Sequence, residues 1–330
     1  MCTAVCYRRN ASYFGRNLDL HCGYGECAVI TPRNFEIKMR CEKPIKSHYA
    51  MIGMACVADN FPLYYEATNE CGLCMAGLNF PENAVYYDFE KGKDNVTPFE
   101  FIPWILAQCA CIEEAKALLA KINLINIAFS EQLPLSPLHW MISDKNHSIA
   151  VEPLKDGLKI YENPFEILTN NPPFEFHRTN ASHYMGLSIG QATSRFRKGI
   201  PVESYSLGMG ALGLPGDFSS ASRFIRALFV KENSVSEHSE ESNVNQFFHI
   251  LNSVAMPKGC VLADEGFEYT RYSSCCNADK GIYYYTTYDH PAIRSIHMSS
   301  VDLNQSRLYT YGVNENDKKD IFFEFKPRDA

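Results

Sequence analysis

Met1-Cys2-Thr3-Ala4-Val5 opens the chain. Removal of the methionine would leave a thiol and a free α-amine on one residue. A nucleophile needs a base within hydrogen-bond reach, and an α-amine with a pKa of about 7.7–8.0 is partly unprotonated near neutrality. A thiol, at about 8.5, is only a few per cent thiolate there unless its surroundings help. The first residue of such a chain would thus carry its own base.

Working outward, the first 85 residues read mainly as strands and turns. Segments 13–16, 27–31, 49–56 and 73–77 are rich in β-formers and divided by Gly, Pro, Asn and Asp. Helical spacing follows over 98–109 (Phe101, Ile105, Leu106) and 112–121 (Ala115, Leu118, Leu119). Strands resume at 138–143, 148–153 and 158–161, with Lys155-Asp156-Gly157 as a turn. A second helical pair is expected at 219–231 and 243–255, separated by a polar loop over 232–242. Strands over 268–274, 281–287 and 292–298 close the pattern. Strands, two helices, strands, two helices, strands is the order of an α+β layered domain with helices over sheets. No repeat or linker divides it, so one domain over 1–330 is expected.

Composition narrows the function. The 330 residues carry a net charge of −7, 46% hydrophobic residues and 13% aromatics. That supports a sizeable core and disfavours a polyanionic partner: the densest basic stretch, Arg195, Arg197 and Lys198, is short. No run approaches the eighteen or so apolar residues of a membrane span. Arg8, Arg9 and Asn10 fall where a signal peptide would be apolar, so a cytoplasmic protein is expected. Thirteen cysteines are an odd number in a long chain. They read as reduced, mostly buried small hydrophobes rather than a disulfide framework.

Two motifs carry little. Gly208-Met209-Gly210-Ala211-Leu212-Gly213 fits GxGxxG, but Leu214-Pro215-Gly216-Asp217 follows where a cofactor fold needs a helix. Cys71-Gly72-Leu73-Cys74 has no second cysteine pair for zinc. Others ask for more. Arg16 and Asp19 stand three apart in a strand-end or turn setting, where a local surface ion pair is the plain alternative. Asn170-Asn171 runs into Pro172-Pro173, which restricts the residue before it. Arg223 lies in the first turn of a helix that Ser219 or Ser220 would cap, where a cation opposes the helix dipole by about 0.3–1 kcal/mol. Some anion or thiolate should face it.

Taken together these segments resemble the choloylglycine hydrolase family, of bile salt hydrolases and penicillin V acylases. The likeness runs through Met1-Cys2-Thr3-Ala4, Tyr13-Phe14-Gly15-Arg16-Asn17-Leu18-Asp19 and Met75-Ala76-Gly77-Leu78-Asn79-Phe80-Pro81. It continues through Leu138-His139-Trp140-Met141-Ile142-Ser143-Asp144, Leu168-Thr169-Asn170-Asn171-Pro172 and Gly216-Asp217-Phe218-Ser219-Ser220-Ala221-Ser222-Arg223-Phe224. It covers almost the whole chain in order.

The resemblance implies an N-terminal-nucleophile hydrolase fold, a four-layer αββα sandwich, in a cytoplasmic homotetramer whose Met1 is removed. It assigns Cys2 as nucleophile, with Arg16 and Arg223 favouring the thiolate and Asp19 holding amine and thiol in place. The Asn170 side-chain amide and the Asn79 backbone N–H become oxyanion donors. Asn79 also separates the bile salt hydrolases from the penicillin V acylases, which typically carry tyrosine there. Leu18, Tyr24, Tyr65, Phe129 and Leu133 align with the pocket loops and would meet an apolar substrate. No metal or cofactor is required, and a conjugated bile salt is the expected partner. Penicillin V acylase, an N-terminal-Cys glutamine amidotransferase and a catalytically inactive steroid-binding protein are the alternatives.

Overall fold

The computed structural model describes residues 1–194 and 196–313. Arg195 of the short basic stretch and the tail of the 1–330 domain expectation lie outside the described residues.

In chain order the first half runs β1 (Cys2–Arg8), β2 (Ser12–Leu20), β3 (Glu26–Thr31), β4 (Met51–Ala58), β5 (Phe61–Asn69), β6 (Cys74–Asn79) and β7 (Asp94–Val96). Helices α1 (Phe101–Gln108) and α2 (Ile112–Leu119) come next. They precede β8 (Ile122–Leu124), β9 (Leu138–Ser143), β10 (Ser148–Leu154), β11 (Gly157–Glu162) and β12 (Ile167–Leu168). The second half holds α3 (Phe174–Ala181), α4 (Ser220–Asn233) and α5 (Glu240–Asn252). It ends with β13 (Val261–Ala263), β14 (Gly266–Asn277), β15 (Ile282–Thr287), β16 (His290–His297) and β17 (Tyr309–Gly312).

Two antiparallel sheets stack face to face. One has the order β12-β1-β2-β14-β15-β16, with β13 added to β14; the other runs β11-β10-β9-β6-β5-β4-β3-β17. Side chains alternate across a strand, and here both faces are covered. In β6, Cys74, Ala76 and Leu78 pack between the sheets, while Met75 joins Phe101, Ile105 and Trp140 under the first helix pair. Helices α4 and α5 cover the outer face of the other sheet, with Phe224, Phe247 and Leu251 in that core. The result is the expected αββα sandwich.

Several local expectations shift. The second helical pair was placed with its last helix at 243–255, but α5 spans Glu240–Asn252. Ser239 caps it by accepting the Ser242 N–H, and Glu240 and Glu241 in the first turn complement the dipole. Five residues of the expected loop are therefore helical, two at the end of α4 and three at the start of α5. Helix α3, β5 and several short strands were not foreseen. Ser219 is the cap of α4, accepting from Ser222 N–H. The cysteine expectation holds in one respect only: all thirteen are free, but six are buried and seven are intermediate or exposed, with Cys41, Cys71 and Cys260 the exposed ones. Loop thiols at these three places have no core to enter.

Candidate active site

Pairing of β1 with β2 sets Cys2 opposite Leu18 and Ala4 opposite Arg16. Cys2, Arg16, Leu18 and Leu20 line one cavity on the inner face of the sheet. Thr3, Asn17 and Asp19 take the other face, where Arg223 donates to Thr3 Oγ1 and Asn17 Nδ2 donates to the Leu251 carbonyl. Arg16 lies within β2 and Asp19 one residue from its end; both are fully buried and on opposite sides. The surface ion pair falls, because β2 is an interior strand flanked by β1 and β14.

Asn170 is the hub beneath Cys2. Its Oδ1 accepts the Cys2 N–H at 2.8 Å and Arg223 Nη2 at 2.7 Å. Its Nδ2 donates to the Asn79 carbonyl at 2.7 Å, which leaves a second amide proton. The backbone is pinned as well: Asn170 N–H donates to Ser220 Oγ, and His177 Nε2 donates to Asn170 O at 3.0 Å. Burial pushes His177 down to about 4, so it is neutral near pH 7, with its one proton on the nitrogen facing that carbonyl.

Arg223 is wholly buried, and its hydrogen bonds go to neutral oxygens. It donates to the Cys2 carbonyl at 2.5 Å, to Thr3 Oγ1 at 2.6 Å and to the Phe218 carbonyl at 3.0 Å. Burial lowers its pKa below the usual arginine value, against the pull of Asp19 and Cys2. The sequence suggested an anion or thiolate facing it; its hydrogen bonds grip the backbone of β1 from the helix layer, and Asp19 and Cys2 are the groups whose charge favours its own.

Arg16 reaches the opposite way. Its Nη1 donates to the carbonyls of Gly77 at 2.5 Å and Tyr65 at 3.1 Å. These lie on β6 and β5, at the point where their pairing, regular from Thr68/Cys74 to Glu66/Ala76, stops. The guanidinium is wedged where the ladder opens. Glu66 lies 3.9 Å from Arg16 Nε and accepts the hydroxyls of Tyr272 and Tyr283 at 2.7 and 2.6 Å. Burial disfavours the Arg16 cation, yet Cys2, Tyr272, Glu66 and Asp19 together raise its pKa above the ordinary value. Arg16 Nη2 is buried with no hydrogen-bond partner.

Opening of that ladder also exposes Asn79. Phe80 N–H donates to the Pro137 carbonyl, so by antiparallel alternation the N–H and C=O of Gly77 and Asn79 face away from β9. Their carbonyls are taken by Arg16 and Asn170, and Asn79 lines the Cys2 cavity.

On the helix-layer side, Asp19 Oδ1 accepts Thr270 Oγ1 at 2.6 Å, while Oδ2 is buried without a partner. Burial raises this carboxyl above its ordinary pKa; Arg223, the terminal ammonium, Thr270 and Arg16 pull the other way. Met1 extends the ladder, its carbonyl accepting Asp19 N–H at 2.9 Å. Its ammonium meets the Asp19 carbonyl and Glu268 Oε2, each at 2.6 Å.

The cavity has a volume of about 370 Å³. It is lined by Cys2, Arg16 and Asn79 and by all five residues expected to meet substrate: Leu18, Tyr24, Tyr65, Phe129 and Leu133. Asp19, Asn170 and Arg223 stand behind Cys2 rather than in its wall. Phe129 packs edge-on against Phe99, and Arg40 donates to its carbonyl while lying over its ring. Sequence reasoning missed Glu66, Tyr272, Tyr283, Thr270 and Glu268, which reach the site from strands far along the chain. Among the described residues, Glu113, Asp144 and His147 form one group with metal-ligand spacing. Both Asp144 oxygens there already accept backbone N–H groups, and the group lies away from the cavity.

Comparison with known proteins agrees with this geometry. The family described as linear amide C–N hydrolases, choloylglycine hydrolase family, matches residues 2–311. A bile salt hydrolase/transferase of Lactiplantibacillus plantarum is 49% identical, covering 94% of this chain and 96% of that protein. The crystal structure of the C2A mutant of the conjugated bile acid hydrolase from Clostridium perfringens superimposes with a TM-score of 0.88. It is 36% identical and covers 96% of this chain and 98% of its own. A penicillin V acylase from Agrobacterium tumefaciens shares the fold at a TM-score of 0.75, with 19% identity, covering 94% of this chain and 90% of its own.

Proposed function

The chain belongs to the choloylglycine hydrolase family of linear amide C–N hydrolases, and we propose that it cleaves the amide bond joining a bile acid to glycine or taurine. The observation that carries the reading is the meeting of Cys2, Arg16 and Asn79 in the wall of a largely apolar cavity, with Asn170 bonded to Cys2 and Asn79 directly behind it. A rigid steroid with one amide and one terminal anion needs such a site: apolar walls with few placed polar groups. Leu18, Tyr24, Tyr65, Phe129 and Leu133 would supply those walls.

In this mechanism Met1 is removed and the Cys2 α-amine takes the thiol proton. The sulfur attacks the amide carbonyl, and Arg16 favours the developing thiolate. The second Asn170 amide proton and the Asn79 N–H hold the tetrahedral oxyanion; one preorganised donor of this kind is worth roughly 10²–10³ in rate. The α-ammonium passes its proton to the departing amine as the C–N bond breaks, leaving a thioester. Water, deprotonated by the same amine, then frees the bile acid and regenerates the thiol. Asp19, with an unpartnered oxygen on the helix-layer face, suits the amine rather than the thiol. Arg223 acts through the Cys2 carbonyl and Asn170. No step calls for a metal or cofactor.

The matured protein is expected to release free glycine from glycocholate and to turn over penicillin V far more slowly, as Asn79 suggests. Amino-acid analysis and a penicillin V hydrolysis assay check this. Faster penicillin V turnover would make it an acylase. Steroid binding without glycine release would make it a binding protein, and glutamine turnover an amidotransferase.

Two further expectations concern its setting. Thirteen free thiols, three of them exposed, suit a reducing cytoplasm. The excursion between α3 and α4 presents Met185, Ile189, Phe196, Tyr205, Leu207 and Leu212, each 70–89% exposed. So much outward apolar surface calls for partner chains and supports a homotetramer. Sedimentation at the mass of one chain would count against it.

A further inference from the structure

We propose that His139, paired with Glu152, is a positioning residue that fixes the two oxyanion donors relative to one another. The proposal rests on the amide hydrolase reading above.

His139 and Glu152 are both fully buried and neither lines the cavity. His139 Nε2 lies 2.8 Å from the Thr169 carbonyl, which can only accept, so that nitrogen carries a proton. His139 Nδ1 lies 3.0 Å from Glu152 Oε1. Glu152 in turn accepts the Phe174 N–H, at 3.0 and 3.2 Å to its two oxygens, at the start of α3. Glu152 thereby ties the ring to the start of the helix that follows Asn170.

The ring reaches both donors. Towards Asn170 it holds the carbonyl of the preceding residue, while Ser220 Oγ bridges Thr169 Oγ1 and Asn170 N–H. Towards Asn79 it stacks on Phe80 at 4.1 Å, nearly parallel, and sits opposite Leu78 in the β6–β9 ladder. A buried polar pair is a weak source of net stability, and apolar residues of like volume often do as well or better. What an apolar residue could not do is hold the Thr169 carbonyl and the Phe80 ring at once.

The test uses the full-length matured enzyme with His139→Gln and, separately, Glu152→Gln. Three quantities are compared with wild type: kcat and KM on glycocholate, affinity for a bile acid aldehyde, and affinity for the free bile acid. The aldehyde adds to the Cys2 thiol and puts an oxyanion in the site; the free acid does not. His139→Gln is expected to lower kcat and aldehyde affinity together, by roughly tenfold or more, part of the range for losing a donor outright. KM and free-acid affinity should stay within about twofold. Glu152→Gln should show the same pattern, at least about threefold, and decides the matter if His139→Gln does not fold. Rates are expressed per Cys2 thiol alkylated by iodoacetamide. Unchanged kcat per thiol, or parallel loss of aldehyde and free-acid binding, overturns the proposal. A wild type that releases no glycine instead overturns the hydrolase reading beneath it.

Discussion

A Cys2→Ala chain should release no glycine from glycocholate above the no-enzyme rate. Alanine keeps the β-carbon, the strand and the pairing with Leu18, so the β1–β2 ladder and the core around it have no reason to rearrange. What disappears is the sulfur and, with it, the thioester route. Removing the nucleophile of an acyl-transfer enzyme costs on the order of 10⁶ in kcat, below the detection limit of a glycine assay. Intact-mass measurement completes the argument: active wild type should lack one methionine, because the mechanism draws on a free α-amine at Cys2. Measurable turnover by the alanine variant would remove the Cys2 thiol from the mechanism, and full activity in protein that retains Met1 would remove its α-amine.

The next largest effect is expected at Asn170, and the choice of substitution separates two roles. Asn170→Ala deletes the oxyanion donor and also strips the acceptor from the buried Cys2 N–H and Arg223 Nη2, so it would damage the site twice. Asn170→Asp keeps an acceptor for both and removes only the amide protons. It should lower kcat by roughly 10²–10³ with KM little changed, and a carboxylate beside a developing oxyanion can only add to the loss. Steady-state kinetics on glycocholate checks it. A kcat within about threefold of wild type would mean that the oxyanion lies elsewhere.

Local sequence revealed the alternation of strands and helices and singled out the hub residues, because both rest on short-range signals; the four-layer order came from the likeness to a family. The strand-rich and helix-rich stretches alternate clearly, and Cys2, Asn170 and Arg223 each sit in a setting with a nameable oddity. The five cavity residues came from the likeness to a family rather than from periodicity. What stayed hidden has a common cause. Glu66 meets Tyr272 and Tyr283 across separations of 206 and 217 residues, and no local pattern foretells such a meeting. Arg16 and Asp19 were visible as a pair but not as buried opposites, because an interior strand of a sheet reads like an exposed one until its neighbours on both sides are known. The start of α5 was missed for a smaller reason: Ser239 sits in a run of polar residues, where a cap is indistinguishable from a loop.

Arg16 deserves a last look as a fastener. Where β5 and β6 part, its Nη1 ties Tyr65 to Gly77 in place of the missing rungs, and both residues border the cleft. Charge and seam are therefore one object. Lysine would keep the cation, but its compact ammonium lacks the rigid planar fork of a guanidinium. Any exchange at this position risks unzipping the cleft wall as well as altering its field, and a dead Arg16 variant cannot by itself say which was lost.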